Sequence, residues 1–217
     1  MPSVGVVLGA GGLVGLGYHV HVLTDLQHQG ILDIRDAEVV VGTSAGSLVA
    51  GLLTSGIELS DLRDALNPLA DTQLSTALAR LLALRTNSMA SLKRPERPQR
   101  HLGERRQRVA LWSASLFGEG EIDATEIARG FDQLLPDAWP SQLQVCSLER
   151  HTAERAVWHQ HHTAPLPVAV AASCAVPGIF RPVTIDDHEY VDGGFWSPTN
   201  ADVLLGRQLD QIGRAHV

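Results

Sequence analysis

Three short stretches of this chain hold residues able to attack an ester and stabilise the charge that results. The first, Gly42 to Gly46, reads GTSAG, a G-x-S-x-G pattern. Between a buried strand and an apolar helix, that pattern is a nucleophile elbow. The sharp turn projects the Ser44 hydroxyl at the end of a sheet, and Gly42 and Gly46 relieve crowding around it. The N-terminal amides of the following helix favour negative charge at the same point. Alone, the same five residues would describe an ordinary turn serine; the strand and helix on either side give them their meaning.

The second stretch is LGAGGLVG, with Gly9, Gly11, Gly12 and Gly15. A dinucleotide-binding loop is the competing reading, and it needs glycine at positions one, three and six. Counting from Gly9 places Val14 in the third slot. The next strand also runs into GTSAG instead of ending in an acidic residue. An oxyanion hole fits better. Glycines let successive N–H groups face a developing alkoxide, and losing one such donor typically costs about 100- to 1000-fold in rate. Gly11, Gly12 and Leu13 are the expected donors, joined by the Ala45 amide. The third stretch is YVDGG, in which Asp192 precedes Gly193 and Gly194. Asp-Gly alone is a common turn. Beside the other two stretches, Asp192 becomes the candidate general base.

Histidine placement separates a dyad from a triad. An α/β-hydrolase triad runs Ser, acid, His, and the one histidine after Asp192 is His216. A Ser44–Asp192 dyad therefore fits better. A carboxylate of ordinary pKa, near 4, is a weak base at neutral pH; burial and close packing compensate. His159, His161 and His162 have a metal-like look, but they fall where a strand passes into a loop, and a solvated loop is expected there with no metal.

These residues need a frame. Residues 4–8 (VGVVL) and 38–41 (EVVV) read as buried parallel strands. Helices are expected at 18–29, 47–55, 60–67, 123–135 and 167–173, and strands at 109–113, 142–148, 154–159 and 188–191. The alternation gives an α/β fold with a parallel sheet. One domain is expected over residues 1–210, with a basic irregular insertion at 80–108 that Pro95 and Pro98 interrupt. After Val203–Leu205 and Leu209–Asp210 the plan calls for another buried strand, and none is expected from the residues that follow. Residues 211–217, QIGRAHV, can be encoded as CAG ATC GGA AGA GCA CAC GTC, which resembles a common sequencing-adapter string. A truncated gene model with a non-native tail is the expectation there.

Composition narrows the function classes. The 217 residues are 44% hydrophobic and 19% charged, enough for a sizeable core and unlike a disordered chain. Two cysteines, Cys146 and Cys174, form no disulfide framework and suggest no zinc site, so the reducing cytoplasm is expected. The N-terminus has no signal-peptide pattern. No apolar run approaches about 20 residues, so any membrane contact is peripheral, at the inner face. Net charge is −7, yet residues 80–108 hold nine basic and two acidic groups. A solvated insertion is the plain reading, and attraction to anionic lipid headgroups the sharper one. Nucleic acid is disfavoured, because no aromatic residues interleave with the charges and the chain as a whole is acidic. Oligomeric state leaves no mark.

GAGG followed by a helix, then GTSAG, AASCAVPGIFRPV and YVDGG, in this order, resembles the patatin-like phospholipase family. The likeness spans roughly residues 4–56 and 165–205. It implies a three-layer α/β/α sandwich with a mainly parallel central sheet. It implies hydrolysis of lipid acyl esters with Ser44 as nucleophile, Asp192 as base and Gly11, Gly12 and Leu13 as oxyanion loop, without metal or organic cofactor. Asp192 would take the Ser44 proton, and water activated by the same carboxylate would release the fatty acid. Two features depart from the family's usual loop: Ala10 stands at a glycine position and Val14 at a basic one. Backbone donors survive both changes, and Arg181 is a candidate to supply charge. Acyl transfer to an alcohol or lysolipid, or a catalytically inert lipid-binding module, are the rival readings.

Overall fold

A computed structural model describes residues 2–67, 75, 76, 79 and 120–215. The basic segment 80–108 and the strand expected at 109–113 lie outside the described residues.

Short runs of β-branched residues form two of the three strands at the middle of the sheet. β1 (Val4–Leu8), β2 (Val39–Thr43) and β3 (Leu143–Glu149) lie side by side and parallel. All five residues of β2 are buried, as a strand covered on both faces requires. β4 (Arg155–Trp158) and β6 (His188–Asp192) run antiparallel to β3, and β5 (Val183–Ile185) pairs with β6. The result is a seven-stranded, mostly parallel sheet flanked by helical segments, an α/β fold.

Alternate side chains of the strands serve opposite faces. Val6, Leu8 and Val40 pack into the main core with α1 (Gly12–His28), α2 (Ala45–Thr54), α3 (Leu59–Ala65), α4 (Ala124–Asp132) and α5 (Leu166–Cys174). Val7, Val39 and Val41 face the other way. Among the described residues they are covered by the 3-10 turn Ala201–Leu204 and Leu209.

One detail of the register sets the site. β2 pairs with Leu143–Cys146, β6 with Ser147–Glu149, and β4 with Val145–Leu148. β4 overlaps both of the others along β3, so it must occupy the opposite edge. β2 and β6 therefore share one edge of β3 and approach each other end to end. Thr43 stands opposite Cys146 and Asp192 opposite Ser147, one residue further on, about 3.3 Å of strand rise. The main-chain bonds agree: the Gln142 carbonyl accepts from Val40, and the amide of Arg150, an even number of residues away, donates to Glu189 on the same edge.

Two expectations are corrected. α1 begins at Gly12, six residues before the expected start. Glycines at 12, 15 and 17 weaken local helix propensity, but they let α1 lie close to α2: a Cβ at Gly15 would meet the Ala45 Cβ at 3.7 Å. A strand also follows Asp210. β7 (Gln211–Ala215) pairs in parallel with β1, although four of its five residues are exposed. The pairing is made by main-chain groups, which the open edge of β1 offers regardless of side-chain pattern.

Candidate active site

Ser44 sits where β2 ends and α2 begins, with φ 55° and ψ −123°. Positive φ at a non-glycine residue typically costs about 1–3 kcal/mol, so neighbours must hold it. The Ser44 amide donates to the Ser173 hydroxyl at 2.8 Å, and that hydroxyl donates to the Cys146 carbonyl at 2.7 Å. The Ser44 carbonyl accepts from the Ser47 amide at 2.9 Å and the Ser47 hydroxyl at 2.7 Å. A Cβ at Gly46 would collide with the Leu8 carbonyl, so glycine alone lets α2 start against β1. Gly42, at the other end of the pattern, lies against the Ser47 backbone.

Asp192 closes β6 and caps the turn after it. Its Oδ1 accepts the Gly194 amide at 2.7 Å, and its own amide donates to the Ala175 carbonyl at 3.0 Å. Gly193 packs onto the Cys146 carbonyl so closely that a Cβ would not fit. Ser44 and Asp192 are each 3% exposed. Since β2 and β6 stop at consecutive positions of β3, both residues stand at the same gap in the sheet.

The glycine loop joins them there. A Cβ at Gly194 would lie 3.0 Å from the Ala10 Cβ. The Ala10 amide donates to the Pro198 carbonyl at 2.7 Å, the Gly9 amide to Ala215 at 3.0 Å, and the Gly15 amide to Gly11 at 2.9 Å. Gly11 is the N-cap of α1, and Gly12 and Leu13 open its first turn. Amides of a first turn have no carbonyl four residues back, so they are available to an anion. His19, fully buried on α1, donates its Nε2–H to the Gly9 carbonyl at 2.7 Å. A carbonyl can only accept, which fixes the proton on that nitrogen.

Three neighbours escaped the sequence reading: Ser173 inside an apolar small-residue helix, His19 on the buried face of α1, and Asn200 beyond YVDGG. A polar residue amid an apolar run was the available signal for the first. Cys146 also lies close by, and burial pushes its thiol up to about 12, so it offers no thiolate at neutral pH. Val14, at the position flagged for its missing charge, is 71% exposed beside the loop, and Arg181 hydrogen-bonds Ile122 through its backbone amide.

The histidine run stands elsewhere, after β4. The His159 amide donates to His162 Nδ1 at 3.2 Å, and the His161 amide to His159 Nδ1 at 3.4 Å. Burial and the neighbouring rings hold His159 below the usual histidine range. No helix among the described residues is long and apolar enough to cross a membrane.

VipD from Legionella pneumophila is similar at 16% identity and TM-score 0.46, over 89% of this chain and 46% of that one. The type III effector protein ExoU is similar at 18% identity and TM-score 0.39, over 80% of this chain and 40% of that one. The chain thus spans less than half the length of either. No curated protein matches it. The patatin-like phospholipase model, however, matches residues 6–205, from within β1 to just past the 3-10 turn Ala201–Leu204, and on that match the chain belongs to the patatin-like phospholipase family.

Proposed function

We propose that the chain hydrolyses acyl esters of lipids through a Ser44–Asp192 dyad. The observation that carries this reading is the meeting of β2 and β6 along one edge of β3, which leaves both residues buried at a single gap. Asp192 accepts the Ser44 proton as the hydroxyl oxygen attacks the ester carbonyl. The amides at the N-terminus of α1, from the N-cap Gly11 and from Gly12 and Leu13, receive the oxyanion, with Ala45 at the start of α2 aiding them. Asp192 passes that proton to the departing alkoxide, which leaves as the alcohol; the restored carboxylate then deprotonates a water that attacks the acyl-serine carbonyl, and the proton returns to the Ser44 oxygen as the fatty acid departs.

A fluorophosphonate probe and a panel of phospholipid, lysophospholipid and glyceride substrates test this together. The wild-type chain is expected to label at Ser44 and release fatty acid. Ser44→Ala is expected to lose labelling and at least about 1000-fold of the hydrolysis rate. Labelling that persists in Ser44→Ala, or a wild-type chain that releases no fatty acid from any member of the panel, rejects the assignment.

A further inference from the structure

We propose that Asn200 is a positioning residue that fixes the nucleophile's turn relative to the base's turn; the inference rests on the dyad proposed above. Asn200 is fully buried and lies at φ 50°, ψ 26°, a left-handed conformation that asparagine tolerates better than most side chains. Its carboxamide nitrogen donates to the Thr43 hydroxyl at 3.1 Å, the Gly193 carbonyl at 3.3 Å and the Ser197 carbonyl at 2.8 Å. Thr43 immediately precedes Ser44, and Gly193 immediately follows Asp192. One amide group therefore bridges the end of β2 and the end of β6, the two strands that stop short of each other along β3.

The orientation of that amide follows from its neighbours. Arg155 on β4 can only donate, and its guanidinium faces the Asn200 Oδ1 at 3.3 Å. The opposite atom faces two carbonyls, which can only accept, so it must be the nitrogen. Arg155 is itself anchored by both carboxylate oxygens of Asp202 at 2.8 Å. The short segment around Asn200 reaches the second stretch as well, because the Pro198 carbonyl holds the Ala10 amide of the glycine loop. Residues 198 and 200 thus touch the elbow, the base turn and the oxyanion loop, while neither is itself nucleophile, base or oxyanion donor.

The experiment uses the full chain with Asn200→Asp, Asn200→Ala, Thr43→Val and the double variant Thr43→Val/Asn200→Ala. Hydrolysis of a p-nitrophenyl ester is measured per active site titrated with fluorophosphonate, with Ser44→Ala and Asp192→Asn alongside. Asn200→Asp keeps the shape and the oxygen facing Arg155 but removes the donors to Thr43 and Gly193. Its kcat is expected to fall about 10- to 100-fold with KM within about twofold, the signature of misplaced reacting groups. Thr43→Val and Asn200→Ala are expected to be non-additive in kcat, because they break the same bond. An unchanged kcat per titrated site in Asn200→Asp overturns the inference while leaving the dyad standing. Full activity in Ser44→Ala or Asp192→Asn removes the dyad itself. If an Asn200 variant does not fold, Thr43→Val decides alone: a fall in kcat supports the bridge and an unchanged kcat overturns it.

Discussion

The turn that carries Ser44 and the turn that carries Asp192 leave strands aimed at each other, but they are held by different means. The Ser44 turn is strained and depends on distant partners: Ser173, 129 residues away, takes its amide. The Asp192 turn is held locally, by the carboxylate itself bonding the amide two residues on, at the start of the 3-10 turn Gly193–Phe195. The nucleophile's turn thus takes its amide bond from a distant residue, while the base's turn adds a local cap to its tertiary bonds with Ala175 and Asn200. The same atom that caps the turn belongs to the group proposed to take the proton, so turn shape and chemistry can be separated by choosing the replacement.

The largest effect separates them at Asp192. Asp192→Asn keeps an oxygen for the Gly194 amide, so its Tm should stay within about 3 °C of the wild type while kcat falls at least about 1000-fold. Esterase activity retained by that variant would point to a different base. Asp192→Ala removes the cap as well and should cost a further 1 kcal/mol or so in chemical denaturation. Next comes Ser173→Ala, which strands the Ser44 amide and the Cys146 carbonyl together. A loss of about 2–4 kcal/mol is expected in urea unfolding, with kcat about tenfold lower. If stability and kcat both hold, the strained turn does not depend on Ser173 and the contrast between the two turns collapses.

His19 gives a smaller effect. His19→Leu leaves the Gly9 carbonyl unsatisfied and should cost about 1–3 kcal/mol, whereas His19→Gln, which can present a donor at a similar reach, should recover most of it. Equal stability in the two variants would show that the bond to Gly9 is not what His19 contributes. Val14→Arg should be the mildest. Its side chain faces solvent, so stability should move by no more than about 0.5 kcal/mol in either direction; a larger shift in the melting curve would mean that the loop and α1 are held through this position.

What the sequence disclosed follows the same division. β1 was readable at its full extent, and the GTSAG and YVDGG turns were placed at the right strand ends, because runs of β-branched residues and glycine-bounded turns are local signals. The start of α1 was hidden because packing against α2 outweighs the poor helix propensity of its glycines. Ser173 and Asn200 were hidden for a different reason. Their meaning lies in partners 129 and 157 residues away, and nothing in the neighbouring sequence announces those bonds. β5 is only three residues long, too short to show a period, and β7 pairs through its backbone with its side chains turned outward.

The meeting of β2 and β6 also bears on how the molecule is made. Ser44 and Asp192 are roughly 150 positions apart in the chain, so the gap between them closes only after a long loop has been drawn in, the slow and entropically costly part of reaching a native state. A chain growing from its N-terminus can finish β1, the elbow and α2 long before the carboxylate exists. Reactivity toward a serine probe during refolding would then report the last pairing along β3 instead of the first collapse.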